Sequence, residues 1–501
     1  MEENQFGKAF TLIVVSVLIL IAYPLLHQQI PSLQEHFRTY SMTSWLPQKA
    51  KITPDTAILE MPTDSLVVAD TIPQAQKYNG WQYLANFYAL LKNNNEQIRI
   101  AHFGDSSIEG DLITQEVRDS LQRRFGGNGV GFAPISSPIY GFRRTLNLRF
   151  SKGWYECVLG EENRQELPRG YLGNYFTDWD PPQEPDSTEV LVEQPEQPID
   201  TLVSDSTTQV SIDTSQKEPE QEEIIANWVR YTASRRFAKV NTFTTSRLFY
   251  GAPVPDSLGN TKPAGSVQLV QNGTSKNIAL NQGKTINVVQ LTSTPCRKIQ
   301  LNFNLPERQP IYGVSFESKG GVIVDNLPTR GNSGGWLMYL NEEVLKQFQQ
   351  HLDVDLIMLQ FGLNVLNAKM EDYSWYQKEM KLVIQHLRRG FPGAQILVIG
   401  PSDRAIKIDG TMKTDPSVAR ITAVLRAAAE ESEVAFFSIY ESMGGAGTIV
   451  KWVDSEVPPL ANSDYTHFNF KGSEKVGKLL LEFLLSGYEE YLREQQKDLE
   501  Q

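Results

Sequence analysis

The sequence predicts an α/β protein, with a mostly parallel sheet flanked by helices, a β-sandwich-like insert interrupting it and a membrane-spanning helix ahead of it. Three observations carry this reading. Strand-like and helix-like apolar periods alternate over residues 81–142 and again over 311–501, as in βαβ units with helices on both faces of a sheet. Residues 143–310 between them change to short alternating runs rich in Thr, Val, Tyr and Phe, which suits antiparallel strands. Ahead of both, residues 9–26 (AFTLIVVSVLILIAYPLL) carry no charge.

In chain order, residues 1–30 read as a cytoplasmic stub and an anchor. At about 1.5 Å per residue the uncharged run covers most of a hydrocarbon core of roughly 30 Å. A secretory signal peptide is the rival, but the following HQQIPSLQEH offers no small-x-small cleavage site. Lys8 is offset by Glu2 and Glu3, so charge says little about orientation, and we take the body of the chain as extracytoplasmic. Residues 31–80 read as a linker, since 39–73 mix Pro, Ser, Thr and Asp without period.

Structured chain begins with WQYLANFYALL, read as a helix leading into IRIAHFGDSSIEGDLITQEVRDSLQRRF. There Ile98, Ile100 and Phe103 suit a buried strand, Gly104 breaks it, and Ile113, Val117, Leu121 and Phe125 recur at helical spacing. The GGNGVG at 126–131 follows a helix instead of a strand, so it is read as a helix-terminating turn and not as a dinucleotide fingerprint. RLFYGAPV, SVQLVQNG, TINVVQLT and KIQLNFNL are the clearest sandwich strands. Within the insert, residues 178–223 are so rich in Pro, Glu, Asp, Gln, Ser and Thr that they read as a disordered acidic loop. Over 311–501 the candidate strands are 311–316, 356–361, 396–399 and 434–437. Helical stripes run through Tyr376, Met380, Val383 and Leu387, then Val418, Ile421 and Leu425, then Val476, Leu479, Leu480 and Phe483.

Composition limits the function. The 501 residues have a net charge of −12 and no basic block to neutralise phosphates, which excludes a nucleic-acid partner. Cys157 and Cys296 are too few for a thiolate zinc site; they either form one disulfide or are two small buried hydrophobes. No His pair or acidic cluster has metal-ligand spacing, so neither metal nor cofactor is expected.

The chemistry centres on Ser106. A serine where a strand hands over to a helix is an exposed nucleophile beside backbone N–H groups, although Gly-Asp-Ser alone is also ordinary turn and cap chemistry. Serine needs a base, usually a histidine oriented by a carboxylate. His27 and His36 lie beside the anchor, His351 and His386 in helical stretches, and His102 in the strand that carries Ser106. That leaves His467 in NSDYTHFNFKG, with Asp464 three residues earlier able to reach its Nδ1. Oxyanion donors come from two loops after candidate strands: TRGNSGG, with Gly331, and FGLN, with the side-chain amide of Asn364. Ligands bind at the carboxyl ends of parallel strands, which is where such turns fall.

Ser106 in FGDSS, Gly331 in TRGNSGG, Asn364 in FGLN and His467 in DYTH make the chain resemble the SGNH, or GDSL-like, hydrolases. The resemblance implies a flavodoxin-like sheet, Ser106 as nucleophile, His467 as base and Asp464 as its orienter. It further implies an oxyanion hole made by the Ser106 N–H, the Gly331 N–H and the Asn364 amide. HFGDSSIEGD, RFGGNGVGF, VIGPSD and DYTHFNFKG are similar to the bacterial branch that includes peptidoglycan O-acetylesterases and the periplasmic partners of membrane-bound O-acyltransferases. That branch commonly carries a β-rich, carbohydrate-binding-like insert. Two departures stand out: Val365 occupies the place of the family's usual Asp after the Asn, and the donor glycine of TRGNSGG lies open between Gly331 and Gly334.

The expected function is that of an inner-membrane-anchored, periplasmic serine esterase removing O-acetyl groups from a glycan. The alternative is an O-acetyltransferase acting on an envelope polysaccharide with a membrane-bound O-acyltransferase partner, and a third reading is a non-catalytic glycan-binding scaffold.

Overall fold

A parallel sheet with helices on both faces sits against a two-sheet antiparallel sandwich. The computed structural model describes residues 78–163, 165–178, 227–255 and 259–500. The anchor at 9–26, the linker at 39–73 and all but the first residue of the acidic stretch at 178–223 lie outside the described residues. Among those described, no helix is long and apolar enough to cross a membrane.

In chain order the first half contains α1 (Ala85–Asn93), β1 (Gln97–Gly104), α2 (Thr114–Phe125), β2 (Gly131–Ala133), β3 (Leu146–Phe150), β4 (Tyr155–Cys157), β5 (Tyr175–Thr177) and β6 (Trp228–Ala233). It continues with β7 (Thr245–Tyr250), β8 (Ser266–Gln271), β9 (Thr274–Ala279), β10 (Asn287–Thr292), β11 (Lys298–Asn304), β12 (Ile311–Glu317) and β13 (Gly321–Pro328). The second half contains α3 (Glu342–Leu352), β14 (Val354–Gln360), α4 (Ser374–Gly390), β15 (Gln395–Gly400), the β16 (Ala405–Ile408) and β17 (Thr411–Thr414) hairpin and α5 (Ser417–Glu431). It closes with β18 (Ala435–Ser438), α6 (Ile439–Met443), α7 (Thr448–Asp454) and α8 (Phe470–Glu500).

The parallel sheet has the order β13-β1-β14-β15-β18. Its strands are buried on both faces, so they read as continuous apolar runs, yet each still obeys the period of two. Ile98 and Ile100 of β1, with Leu356 and Met358 of β14, join the core under α2 and α8. Ala101 and Phe103, with Ile357 and Leu359, join the other core, under α3, α4 and α5. Helix α8 lies close against α2: a Cβ on Gly477 would come 2.7 Å from the Cβ of Glu116, so only glycine permits that approach.

The sandwich boundary differs from the sequence reading in two places. Strand 311–316, expected in the parallel sheet, is β12, which pairs antiparallel with β7 in the sheet β10-β7-β12-β5-β4. The parallel edge strand is instead β13, whose eight residues register with β1 from Gln97↔Gly321 to Gly104↔Pro328. At the other end, β2 at 131–133, placed by sequence in the first hydrolase part, pairs with β12. The two runs look alike, and only their distant partners distinguish them.

One face of that sheet meets the second sheet, β3-β6-β11-β8-β9, in a core holding Leu248, Val314 and Phe316 with Tyr231, Ile299 and Leu301. Its other face sends Phe132, Phe249 and Tyr312 into the core of the parallel sheet, where Phe249 stacks on Phe348 of α3 with centroids 5.7 Å apart. A buried ion network ties the same junction. Arg99 of β1 donates to Asp325 (2.8 and 3.0 Å), to Ser315 Oγ (3.2 Å) and to Glu317, which also pairs with Arg247. Burial would raise the Glu317 carboxyl, but the two guanidiniums outweigh it and hold it below the ordinary range. Cys157 and Cys296 are free and buried, which settles their alternatives in favour of small hydrophobes.

Candidate active site

Three neighbouring strands, β13, β1 and β14, end side by side, and their carboxyl ends deliver Gly331, Ser106 and Asn364 to one place. The strand ends are tied together by Thr329 N donating to Gly104 O (2.8 Å) and Asp105 N donating to Gln360 O (3.2 Å). Gly104 is required sterically, because a Cβ there would lie 2.9 Å from Ile108 Cδ1 and 3.0 Å from Gln360 O. The chain then turns: the buried Asp105 carboxylate accepts from Ser107 N (2.9 Å), capping the 3₁₀ turn Ser106–Asp111 and leaving Ser106 partly exposed at its start. Burial raises the Asp105 carboxyl against that capping bond.

His467 arrives from the far end of the chain, in the loop ahead of α8. Asp464 Oδ1 accepts from the N–H groups of Thr466 and His467, both at 3.0 Å, and Asn462 N donates to His467 O (2.9 Å). Asn469 Oδ1 accepts from Lys471 N and Gly472 N, fixing where α8 begins. The ring so held places Nε2 3.1 Å from Ser106 Oγ and Nδ1 2.7 Å from Asp464 Oδ2. The Asp464 hydrogen bond is the main cause raising the imidazole above its ordinary value, with the charges of Asp105 and Glu109 adding to it. Burial pushes the Asp464 carboxyl up, but the His467 ring and the two backbone N–H groups win and hold it low. Such a chain of groups can take the serine proton and stabilise the imidazolium that results.

Gly331 and Gly334 part company. Gly334 is buried, its N–H already donates to Asn332 Oδ1 (2.7 Å), and it packs on Phe361, whereas Gly331 lines the cleft with open space around its Cα. Asn364 is held without the missing Asp: its Nδ2 donates to Asn332 O (3.0 Å), leaving the second amide hydrogen for the cleft. The cleft has a volume of about 760 Å³ and contains Ser106, Gly331, Asn364, Asp464 and His467.

Three features of the site escaped the sequence reading. Glu109 and Arg330 form a bidentate pair (2.8 to 3.1 Å) that bridges the serine turn to the Gly331 loop. Residues 138–142 wall the cleft, exposing Tyr140 and Phe142. Beneath the serine turn runs a buried polar relay in which His102 Nδ1 meets Thr114 Oγ1 (2.9 Å), His102 Nε2 meets Gln360 Oε1 (3.1 Å) and Gln360 Nε2 donates to Ser107 Oγ (2.8 Å). Asn326 Nδ2 donates to Thr114 Oγ1 at its far end (2.8 Å). Burial drives His102 down to about 4, so it is neutral, with Nε2–H donating to Gln360 and Nδ1 accepting from Thr114. Glu109 and Arg330 carried no signal beyond opposite charge; His102 was visible as a polar residue in an apolar strand.

No protein-family model matches the chain, and no curated protein does. Among solved structures, an acetyl xylan esterase is similar over 32% of this chain and 79% of its own (15% identity, TM-score 0.25). A family two carbohydrate esterase from Cellvibrio japonicus is similar over 53% and 90% (8% identity, TM-score 0.24). Both scores are too low to bear on fold. A peptidoglycan O-acetylesterase is similar over 82% of this chain and 97% of its own, at 17% identity and a TM-score of 0.56. The likeness extends through parallel sheet and sandwich together, and the chain therefore has the fold of that esterase.

Proposed function

We propose that the protein is a serine esterase that removes O-acetyl groups from a glycan. The observation that carries this is the hydrogen-bonded series Ser106, His467, Asp464 at the mouth of a cleft formed by adjacent strand ends. The fold shared with a peptidoglycan O-acetylesterase supports the substrate class. In the first half-reaction Ser106 Oγ attacks the ester carbonyl as His467 Nε2 takes its proton. The tetrahedral oxyanion is met by the N–H groups of Ser106 and Gly331 and the amide of Asn364. Collapse breaks the bond to the sugar oxygen, which leaves with the proton from His467. Water, deprotonated by the same imidazole, then releases acetate and restores Ser106.

The test incubates the protein with an O-acetylated glycan and weighs both products and protein by mass spectrometry. An esterase gives free acetate and a transient acetyl on Ser106. Acetyl passed to a second sugar in preference to water would replace esterase by transferase. The uncharged run at 9–26 supports an anchored enzyme facing an envelope glycan, with a membrane-bound O-acyltransferase as partner only in the transferase case. Recovery in the membrane fraction, lost when residues 1–38 are deleted, is the expected outcome.

A further inference from the structure

The three oxyanion donors of the proposed mechanism sit on three loops, so the placing of those loops decides whether the donors converge on one atom. The Ser106 N–H opens the 3₁₀ turn Ser106–Asp111, the Gly331 N–H lies in the loop after β13, and the Asn364 amide follows β14. Asn364 Nδ2 donates to Asn332 O (3.0 Å), which ties the third donor to the loop of the second. The second needs a tie to the first. Asn332 N donates to Thr329 O (3.3 Å), closing a β-turn with Arg330 and Gly331 at its corners, and Gly331 takes a φ of +69°. No atom beyond its neighbours lies within 4 Å of where a Cβ would sit on Gly331, so packing at that residue does not hold the turn.

Glu109 and Arg330 provide that tie. In a 3₁₀ turn residues i and i+3 eclipse, so Glu109 emerges on the side of Ser106 before the backbone breaks away (φ −54°, ψ 149°), and both residues line the cleft. The Glu109 carboxylate accepts from Arg330 Nε at 3.0 and 3.1 Å and from Nη2 at 2.8 Å. Two planar groups paired in this way fix orientation as well as distance. The Cα of Arg330 and the N–H of Gly331 belong to one planar peptide unit, so a hold on Arg330 is a hold on the donor beside it. The Arg330 side chain is 68% exposed and that of Glu109 13%. A pair with one partner so exposed contributes little to stability, and its consequence is geometric. Glu109 also acts through its charge, as one of three carboxylates, with Asp464 and Asp105, that raise the His467 imidazole.

We propose that Glu109 and Arg330 are positioning residues that clamp the oxyanion hole, holding the Gly331 N–H in fixed relation to the Ser106 N–H. This deepens, and rests on, the esterase reading. The test measures p-nitrophenyl acetate hydrolysis by Glu109→Gln, Arg330→Gln, the double variant and Arg330→Lys, with kcat read on the plateau above the ascending pH limb. Each single Gln variant loses about 10- to 100-fold in kcat with KM within about twofold, because the donors act only once the oxyanion forms. Affinity for phenylboronic acid, whose tetrahedral adduct on Ser106 Oγ imitates the intermediate, falls by a similar factor. The double variant is no slower than the slower single, since the two residues act as one unit. Arg330→Lys keeps the charge without the planar fork and falls between wild type and Arg330→Gln. Thermal midpoints stay within about 3 °C of wild type, which excludes misfolding. The ascending limb moves to lower pH in Glu109→Gln and to higher pH in Arg330→Gln, where the Glu109 charge is no longer offset. Similar falls in plateau kcat despite opposite shifts show that position, not charge, sets the rate. Unchanged kcat, additive losses, a loss confined to KM or wild-type boronate affinity would overturn the clamp and leave the esterase intact. Hydrolysis as fast in Ser106→Ala as in wild type would sink the esterase reading and the clamp with it.

Discussion

Ser106 Oγ has its base at 3.1 Å and no structural duty beyond opening a 3₁₀ turn. Ser106→Ala is therefore expected to cut ester hydrolysis by about three orders of magnitude or more while leaving stability within about 0.5 kcal/mol. Turnover of p-nitrophenyl acetate and a thermal melt check both halves. The base form of His467 is the neutral imidazole, so activity rises with pH through its pKa. Because Asp464 raises that pKa, the ascending limb of the pH–rate profile should centre above 6.5. Asp464→Asn removes the raising influence, so the limb moves to lower pH and kcat falls by about 10²- to 10⁴-fold. A limb that stays in place would take the orienting role from Asp464. These residues were legible because reactive groups at turns are punctuated by Gly, Asp and Asn. The Glu109 and Arg330 pair was not, since charges 221 positions apart give no local pattern.

At the scale of elements, the serine turn is supported from below by the relay through His102 and Gln360. His102 is fully buried and held neutral at about 4, against 6.5 when unfolded. The unfolded chain therefore binds the extra proton first as pH falls. This contribution to stability is complete above 6.5 and is lost from there down to about 4, a change on the order of 3 kcal/mol. Denaturant melts across that range should show the slope, and His102→Gln should flatten it. Gln360→Leu leaves the His102 Nε2–H unpaired and removes the amide that donates to Ser107 Oγ; a loss of about 1–3 kcal/mol with a lower kcat is expected from melts and kinetics. Strand and helix periods made β1, β14, β15, β18 and their helices legible, as each repeats its own local spacing. The exchange of β12 and β13 was not legible: Ile311–Glu317 and Gly321–Pro328 are both buried runs, and a polar Asp325 and Asn326 disguise the true parallel strand. Those two side chains are satisfied by partners far away in sequence, Asp325 by Arg99, Phe132 N and Tyr171 and Asn326 by Thr114 and Ile108 O.

For the whole molecule, the sandwich is an insertion in sequence but not a separate body, as Phe249 and Phe132 lie in one core with Phe348, Leu359 and Met380. The described residues form one compact unit. Unfolding is thus expected as one transition, seen at the same denaturant concentration by sheet and helix signals. Phe348→Ala, at the aromatic junction, should lower stability by about 3–5 kcal/mol and move that single midpoint to lower denaturant. Two separated transitions would mean that the halves do not share their core.

The contact between Ser106 and His467 joins residues 361 positions apart. At about 5–20 residues per second of synthesis, the nucleophile leaves the ribosome roughly 20–70 s before its base exists. Throughout that interval the growing polypeptide holds a serine with nothing to deprotonate it. Inactivity during that interval needs no inhibitor: a loop translated late arms one translated early.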